Sequence, residues 1–256
     1  MDIHELNRRA TDYQCPPQAL QDRIILVTGA GAGIGRAVSL ALAAQGATVI
    51  LLGRTQSKLE AVYDEIKAAG GPEPALAPVN MEVARPEDYQ ELAGLFAQEF
   101  GRLDGLLHNA SVLGTLTPLD NFPAELWDTV LRTNVTGAFY LTQAMLPLLR
   151  DSKDGRILFT SSSVGRRGRA YWGAYAASKA ALENLAQTLA DELENISSIR
   201  VNTINPGATR TDMRAFAYPA EDPMTLKAPQ DIVAPYLYLL GPDSADVTGC
   251  SLDAQR

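Results

Sequence analysis

Cysteine and histidine are almost missing from this chain, with two of each in 256 residues. Cys15 and Cys250 lie near opposite ends, with no C-x-x-C pair and too few histidines nearby for a zinc set. That excludes a disulfide framework and a redox dithiol, and no metal is expected. Long apolar runs are missing too. None approaches the roughly 20 residues that span a bilayer, and the N-terminal stretch lacks the apolar core of a secretion signal. The expectation is a soluble, cytoplasmic protein with no membrane partner. Basic excess is also absent: 22 Lys and Arg stand against 30 Asp and Glu, a net charge of -8 and a pI near 4.8. A nucleic-acid footprint needs a basic stripe, so no nucleic-acid partner is expected. The one dense basic cluster, Arg166, Arg167 and Arg169, reads as a solvated loop or as attraction for an anionic substrate or cofactor.

What is present is ordinary globular composition, 46% hydrophobic and 20% charged, in a length that suits one large domain. Residues 1–22 are polar, carry Pro16-Pro17 and show no clear period, so they read as an arm or short irregular helix. From residue 23 to 256 strands and helices alternate. Strands are expected at 24–27, 48–52, 75–79, 103–108, 156–160, 199–204 and near Ser251; helices at 36–45, 56–69, 86–100, 123–150, 171–195 and 231–240. This is the pattern of an α/β doubly wound parallel sheet of Rossmann type, a single domain of about seven strands flanked by helices. Residues 207–230 contain several prolines and no period, and are too long for a simple connection. A lid over a substrate is the expected role.

Two patterns carry chemistry. Thr28 to Gly35 reads T-G-A-G-A-G-I-G between the first strand and the first helix of the domain. Glycines there let the backbone approach a pyrophosphate, whose charge is received at the helix N-terminus. The spacing of Gly29, Gly33 and Gly35 is G-x-x-x-G-x-G, a departure from the common G-x-G-x-x-G. Further along, Tyr175 and Lys179 share a helix face one turn apart, with Ser162 thirteen residues upstream at the end of a strand. An ammonium about 5 Å from the phenol oxygen, at an effective dielectric near 20, would favour the phenolate by roughly 3 kcal/mol, or about two pKa units. That would bring the phenol towards the range of a general acid/base, with the Ser162 hydroxyl holding a carbonyl oxygen beside it. The spacing alone is not specific, because Tyr63 and Lys67 repeat it in a charged segment that reads as surface helix.

Taken together, T-G-x-x-x-G-x-G at 28–35, Asn109-Ala110, Asn134, Ser162, Tyr175, Lys179 and Asn205-Pro206-Gly207 resemble the short-chain dehydrogenase/reductase family over about residues 23–252. The runs RIILVTGA, ATVILLGR, FTSSSVGR and WGAYAASK also resemble its bacterial YciK branch, oxidoreductases with poorly defined substrates. The resemblance implies hydride transfer between a nicotinamide cofactor and a small alcohol or carbonyl compound. Tyr175 would exchange the proton, Lys179 would lower its pKa and hold the nicotinamide ribose, Ser162 would orient the carbonyl, and Asn134 would hold a water of the proton relay. Gly29, Gly33, Ile34 and Gly35 would cradle the cofactor, Asn109 would steady the sheet beside it, and Pro206, Gly207, Thr209 and Thr211 would line the nicotinamide end. A homodimer or homotetramer is implied, with Ala174, Ala177, Ala181 and Phe139 facing either a partner, as a flat contact, or the sheet. The competing reading is a dinucleotide-binding regulator or scaffold with an idle site, against which all four of Asn134, Ser162, Tyr175 and Lys179 are present.

Three positions depart from the family pattern. His108-Asn109-Ala110-Ser111 stands for N-N-A-G, so Ser111 replaces a glycine that approaches the cofactor, and His108 reads as a strand-end residue rather than a catalyst. Asn80 stands where an acid is often found; its amide oxygen can still accept from the adenine amino group. Gly53 stands where an acidic residue would bind the ribose 2'-hydroxyl, and Arg54 follows it. A guanidinium there pairs with a 2'-phosphate, so NADP(H) is favoured over NAD(H).

Overall fold

The computed structural model describes residues 2–255. Met1 and Arg256, the outer limits of the expected arm and domain, lie outside the described residues. In chain order the elements are α1 (Ile3–Thr11), β1 (Ile24–Thr28), α2 (Gly33–Ala44), β2 (Thr48–Gly53), α3 (Gln56–Ala68), β3 (Ala75–Pro78), α4 (Pro86–Phe100), β4 (Gly105–His108) and α5 (Ala124–Leu131). They continue with α6 (Gly137–Arg150), β5 (Arg156–Thr160), α7 (Ser163–Arg166), α8 (Gly173–Glu194), β6 (Arg200–Asn205), α9 (Asp212–Ala217), α10 (Ala234–Leu240) and β7 (Ser251–Asp253).

The strands pair in parallel in the order β3-β2-β1-β4-β5-β6-β7. Both faces are covered, which is why the strands read as unbroken apolar runs. Successive residues of β1 serve opposite faces: Ile25 and Val27 join the layer that includes Val38, Leu42 and Leu237, while Leu26 joins the layer that includes Leu141, Met145 and Leu182. Because β1 is followed outward by β2 and β3 on one side and flanked by β4 on the other, the strand order reverses between β1 and β4. At such a point the crossover connections diverge and leave a crevice beyond the carboxyl ends of the strands.

The structure corrects one expectation and decides between the alternatives of two others. The single helix expected over 123–150 is α5 and α6 joined by a π-helical segment, Arg132–Thr136. The wider turn places Thr133 and Asn134 in the interior, at 8% and 1% exposure. Apolar residues keep returning on both sides of it, so the pattern carries no visible break. Of the two readings of the amino-terminal stretch, the short helix is present: α1 buries Leu6 and Ala10 in the layer shared with α10. Arg9 donates to Asp246 at 2.9 Å and to the Asp243 carbonyl at 2.8 Å, and Tyr13 Oη donates to Asp243 at 2.8 Å. Two inward residues on one turn are too few to show a period. Lastly, Ala174 is fully buried in its own chain and offers no surface to a partner, whereas Phe139 is exposed.

Leu6→Ala is expected to lower the stability of the whole fold by about 2–5 kcal/mol, read from the urea midpoint. The same truncation at half-exposed Ile3 should cost about 0.5 kcal/mol or less. Equal small effects at both positions would mean that α1 is not part of the cooperative core.

Candidate active site

The glycine loop is shaped by how closely β1 and β4 end beside each other. Gly29 has φ +67°, and a Cβ there would lie 2.9 Å from the Cα of Ala110. At Gly35, a Cβ would fall 2.2 Å from the Gly29 carbonyl oxygen and 2.6 Å from Asn109 Nδ2. Only glycine fits a backbone folded that tightly. Thr28 Oγ1 ties the two strand ends, accepting from the N–H of Asn109 and of Ala110 at 2.9 Å each and donating to the Leu107 carbonyl at 3.2 Å. Asn109 extends the tie, donating through Nδ2 to the Thr28 carbonyl at 3.3 Å and accepting from Thr160 Oγ1 at 3.5 Å. This cradle, opening α2 with its free N–H groups, is a shape that suits a pyrophosphate.

Across the crevice, Ser162 ends the extended run of β5 and precedes α7. Tyr175 and Lys179 come from the first turns of α8, at 9% and 1% exposure. Lys179 Nζ donates to the Thr160 carbonyl at 2.8 Å and lies 5.4 Å from the centre of the Tyr175 ring. A cleft of about 320 Å³ brings together Gly29, Gly33, Ile34, Asn109, Ser162, Tyr175, Lys179, Pro206, Gly207, Thr209 and Thr211. Gly35 stands behind the loop. Arg54 and Asn80 lie outside this cleft, both exposed at the ends of β2 and β3. Asn80 Oδ1 accepts from the Glu82 N–H at 3.2 Å, and Arg54 has no protein partner among the described residues.

The electrostatics differ from the sequence expectation. Burial pushes the Tyr175 phenol up to about 12, with the hydroxyls of Ser162 and Ser111 opposing the rise. The ammonium of Lys179 is itself brought down to about 8 by burial, with Glu183 opposing. The expected lowering of the phenol by Lys179 therefore does not hold in the chain alone. A phenolate shut away from water loses more solvation than a cation directed at the Thr160 carbonyl returns. The duplicate pair meets elsewhere: Tyr63 Oη and Lys67 Nζ donate to Glu73 at 2.8 and 3.2 Å on the surface.

Asn134 is held through its side chain. Its Nδ2 donates to the Val112 carbonyl at 2.9 Å and to Ser178 Oγ at 3.0 Å, and its Oδ1 accepts from the Val112 N–H at 2.8 Å. The amide hydrogens are thus committed to the segment after β4 and to α8, and no amide hydrogen is left for a water. His108 stacks on Phe159 with ring centres 4.6 Å apart, and burial lowers its pKa to about 3. Thr142 Oγ1 gives its proton to the Ala138 carbonyl, so the 2.8 Å contact with His108 requires His108 Nε2–H as donor. His108 is a neutral packing residue.

Two residues that sequence reasoning missed hold the far wall. Gln255 Nε2 reaches the carbonyls of Pro206 and Ala208 at 2.7 and 3.0 Å and Thr209 Oγ1 at 3.1 Å. No motif marks it. Trp172 lines the cleft beside Tyr175, ring centres 5.7 Å apart, and touches Tyr218 of the covering segment at 5.9 Å. That covering segment is more ordered than its lack of period suggests: Thr211 caps α9 by accepting from the Arg214 N–H at 3.2 Å, and Arg214 forks onto Glu221 at 2.7 Å through two nitrogens. Six residues are too few to show helical periodicity.

Comparison with known proteins fits this geometry. The family profile described as short chain dehydrogenase matches residues 23–222. The chain belongs to the short-chain dehydrogenase family. This dehydrogenase is 51% identical over 243 residues to the uncharacterized oxidoreductase YciK of Escherichia coli strain K12, covering 95% of this chain and 96% of that one. Two solved structures of chains described as short chain dehydrogenases are similar throughout. One, from Shigella flexneri 2a strain 301 and complexed with NADP, has 50% identity and a TM-score of 0.92, covering 94% of this chain and 100% of that chain. The other, from Escherichia coli CFT073 and complexed with NADPH, has 51% identity and a TM-score of 0.91, with the same coverage. The dehydrogenase is accordingly an oxidoreductase on a seven-stranded Rossmann-type sheet, and none of its described helices is long and apolar enough to cross a membrane.

The buried Lys179 leads to a stability prediction. Its folded pKa lies below the unfolded value of 10.5, so between about 8 and 10.5 the unfolded chain holds the extra proton. The cost of the buried charge is complete below about pH 8 and fades as pH rises towards 10.5. Lys179→Met should therefore stabilise the cofactor-free protein at pH 7 by roughly 1–3 kcal/mol, with the gain shrinking by pH 10. Thermal melts across that range would show it; a gain independent of pH would contradict the assignment.

Proposed function

We propose that this dehydrogenase interconverts a small alcohol and its ketone or aldehyde with NADP(H) in preference to NAD(H). The observation that carries the reading is the meeting of Ser162, Tyr175 and Lys179 at the glycine cradle, in one cleft beyond the carboxyl ends of the strands. The cradle, folded tightly because Gly29 and Gly35 carry no side chain, suits a dinucleotide. A nicotinamide bound there supplies or accepts the hydride.

The protein's own groups do the rest. Ser162 Oγ donates to the carbonyl oxygen, and Tyr175 Oη passes its proton to that oxygen as the alkoxide develops, so two donors meet the new charge. Lys179, fixed by the Thr160 carbonyl, supplies the positive charge that eases loss of that proton and bonds the ribose of the bound cofactor. Asn134 holds Val112 and Ser178 in register, linking the wall after β4 to α8. Pro206, Gly207, Thr209 and Thr211 hold the nicotinamide end. Beside the phenol, Trp172, Met213 and Ala217 line the cleft, which suits a substrate with an apolar body.

NADP(H) is supported by the NADP and NADPH complexes of the two relatives and by the residues after β2 of this chain. Gly53 places no carboxylate against a 2'-phosphate, and Arg54 is exposed with its guanidinium uncommitted. Asn80, at the end of β3, remains available to the adenine side through its amide. A homodimer or homotetramer completes the reading, supported by exposed Leu95 and Phe139 on α4 and α6.

A screen of carbonyl compounds with NADPH should find turnover, and Tyr175→Phe should reduce kcat about 10²- to 10⁴-fold while leaving the NADPH Kd within about twofold. Tight cofactor binding with no turnover across the screen would favour a regulator over an enzyme. Arg54→Glu should raise the NADPH Kd about 10- to 100-fold and leave NADH much less affected, by fluorescence titration. Equal weakening of both cofactors would remove Arg54 from phosphate recognition.

A further inference from the structure

Ser111 stands where the family motif carries a glycine, and its Oγ is buried with no hydrogen-bond partner. The backbone is tied on both sides of it. Thr28 Oγ1 fixes the N–H groups of Asn109 and Ala110, and Asn134 grips both the N–H and the carbonyl of Val112. The hydroxyl is therefore held ready inside the same cleft as Ser162 and Tyr175. Its effect reaches the phenol: Ser162 first and Ser111 second oppose the rise that burial imposes on Tyr175. Ser161, another buried cleft hydroxyl without a partner, exerts no such pull.

A division of labour follows from proton counting. A serine hydroxyl has one proton to donate, so Ser162 cannot hold the substrate carbonyl and stabilise a phenolate at the same moment. We propose that Ser111 is a second active-site hydroxyl, donating to Tyr175 Oη and sustaining its phenolate while Ser162 is engaged by the substrate oxygen. The inference rests on the carbonyl–alcohol reading above, and it assigns this chain a donor that a glycine at the same position could not supply. No bond beyond the proton exchange is made or broken: in alcohol oxidation Tyr175 Oη takes the hydroxyl proton, and Ser111 keeps its own.

The test does not need a substrate. With ζ-13C-tyrosine in the full-length protein saturated with NADPH, the Tyr175 resonance is identified by its loss in Tyr175→Phe and titrated with pH. Ser111→Ala and Ser111→Gly should each raise the midpoint by about one pH unit, with Ser111→Thr returning it towards the original. NADPH affinity should stay within about twofold in all three. On any carbonyl compound found by the screen, the alkaline limb of the pH profile of kcat/KM should move up by the same interval in the Ala and Gly variants. A midpoint unchanged in both, or shifted only by Ser162→Ala, would overturn the proposal. Absence of turnover in the screen would instead count against the enzymatic reading, and the titration separates the two failures.

Discussion

The bond from Lys179 Nζ to the Thr160 carbonyl joins the long helix α8 to the end of β5, and most of the site depends on it. A cation with 1% exposure has no water to fall back on, so that carbonyl fixes where the ammonium lies. One turn earlier on the same helix, Tyr175 is carried to the cleft, and two residues beyond Thr160 the backbone delivers Ser162. A single contact thus sets three functional groups relative to one another. The same carbonyl-bearing residue uses its side chain on Asn109, which is tied through Thr28 to the glycine cradle. Position is transmitted from α8 to the glycine loop through three residues, Thr160, Asn109 and Thr28, at the ends of three neighbouring strands.

The electrostatic consequence is a site whose two central groups are both held in their neutral-favouring direction by burial. The phenol is pushed up and the ammonium down, each towards the form with less charge to solvate. Such opposed perturbation in a concave site is a common mark of groups that exchange protons. It also separates Tyr175 from Tyr63, which has the same spacing to a lysine but lies in water and shares an acidic partner with it.

Much of this was legible in the sequence because the fold is written in short apolar runs alternating with repeats of three to four residues. The strands showed as apolar runs since both faces of the sheet are covered, and glycines marked the loop since close backbone contact demands them at Gly29 and Gly35 and a positive φ favours one at Gly33. What escaped was decided by contacts distant along the chain. The π turn at Arg132–Thr136 lies inside an uninterrupted apolar pattern, and its purpose appears only when Asn134 meets Val112 and Ser178. The influence of Lys179 on the phenol was estimated from spacing and an effective dielectric, which takes no account of the solvation both groups lose. Ser111 was visible as a departure, but only the structure shows its hydroxyl buried without a partner, between residues whose backbone is tied.

The wall made by Pro206 to Thr209 is braced by a residue almost fifty positions later. Gln255 holds three acceptors of that loop, Asp253 accepts from Asn205 Nδ2 at 2.8 Å, and the N–H of Asp253 is in turn held by Asn7 Oδ1 at 2.9 Å. During synthesis on a ribosome, the glycine cradle and the catalytic helix emerge well before this brace exists. That brace joins only once residue 255 has left the exit tunnel, so a nascent chain stalled short of that point would hold Pro206 to Thr209 without it.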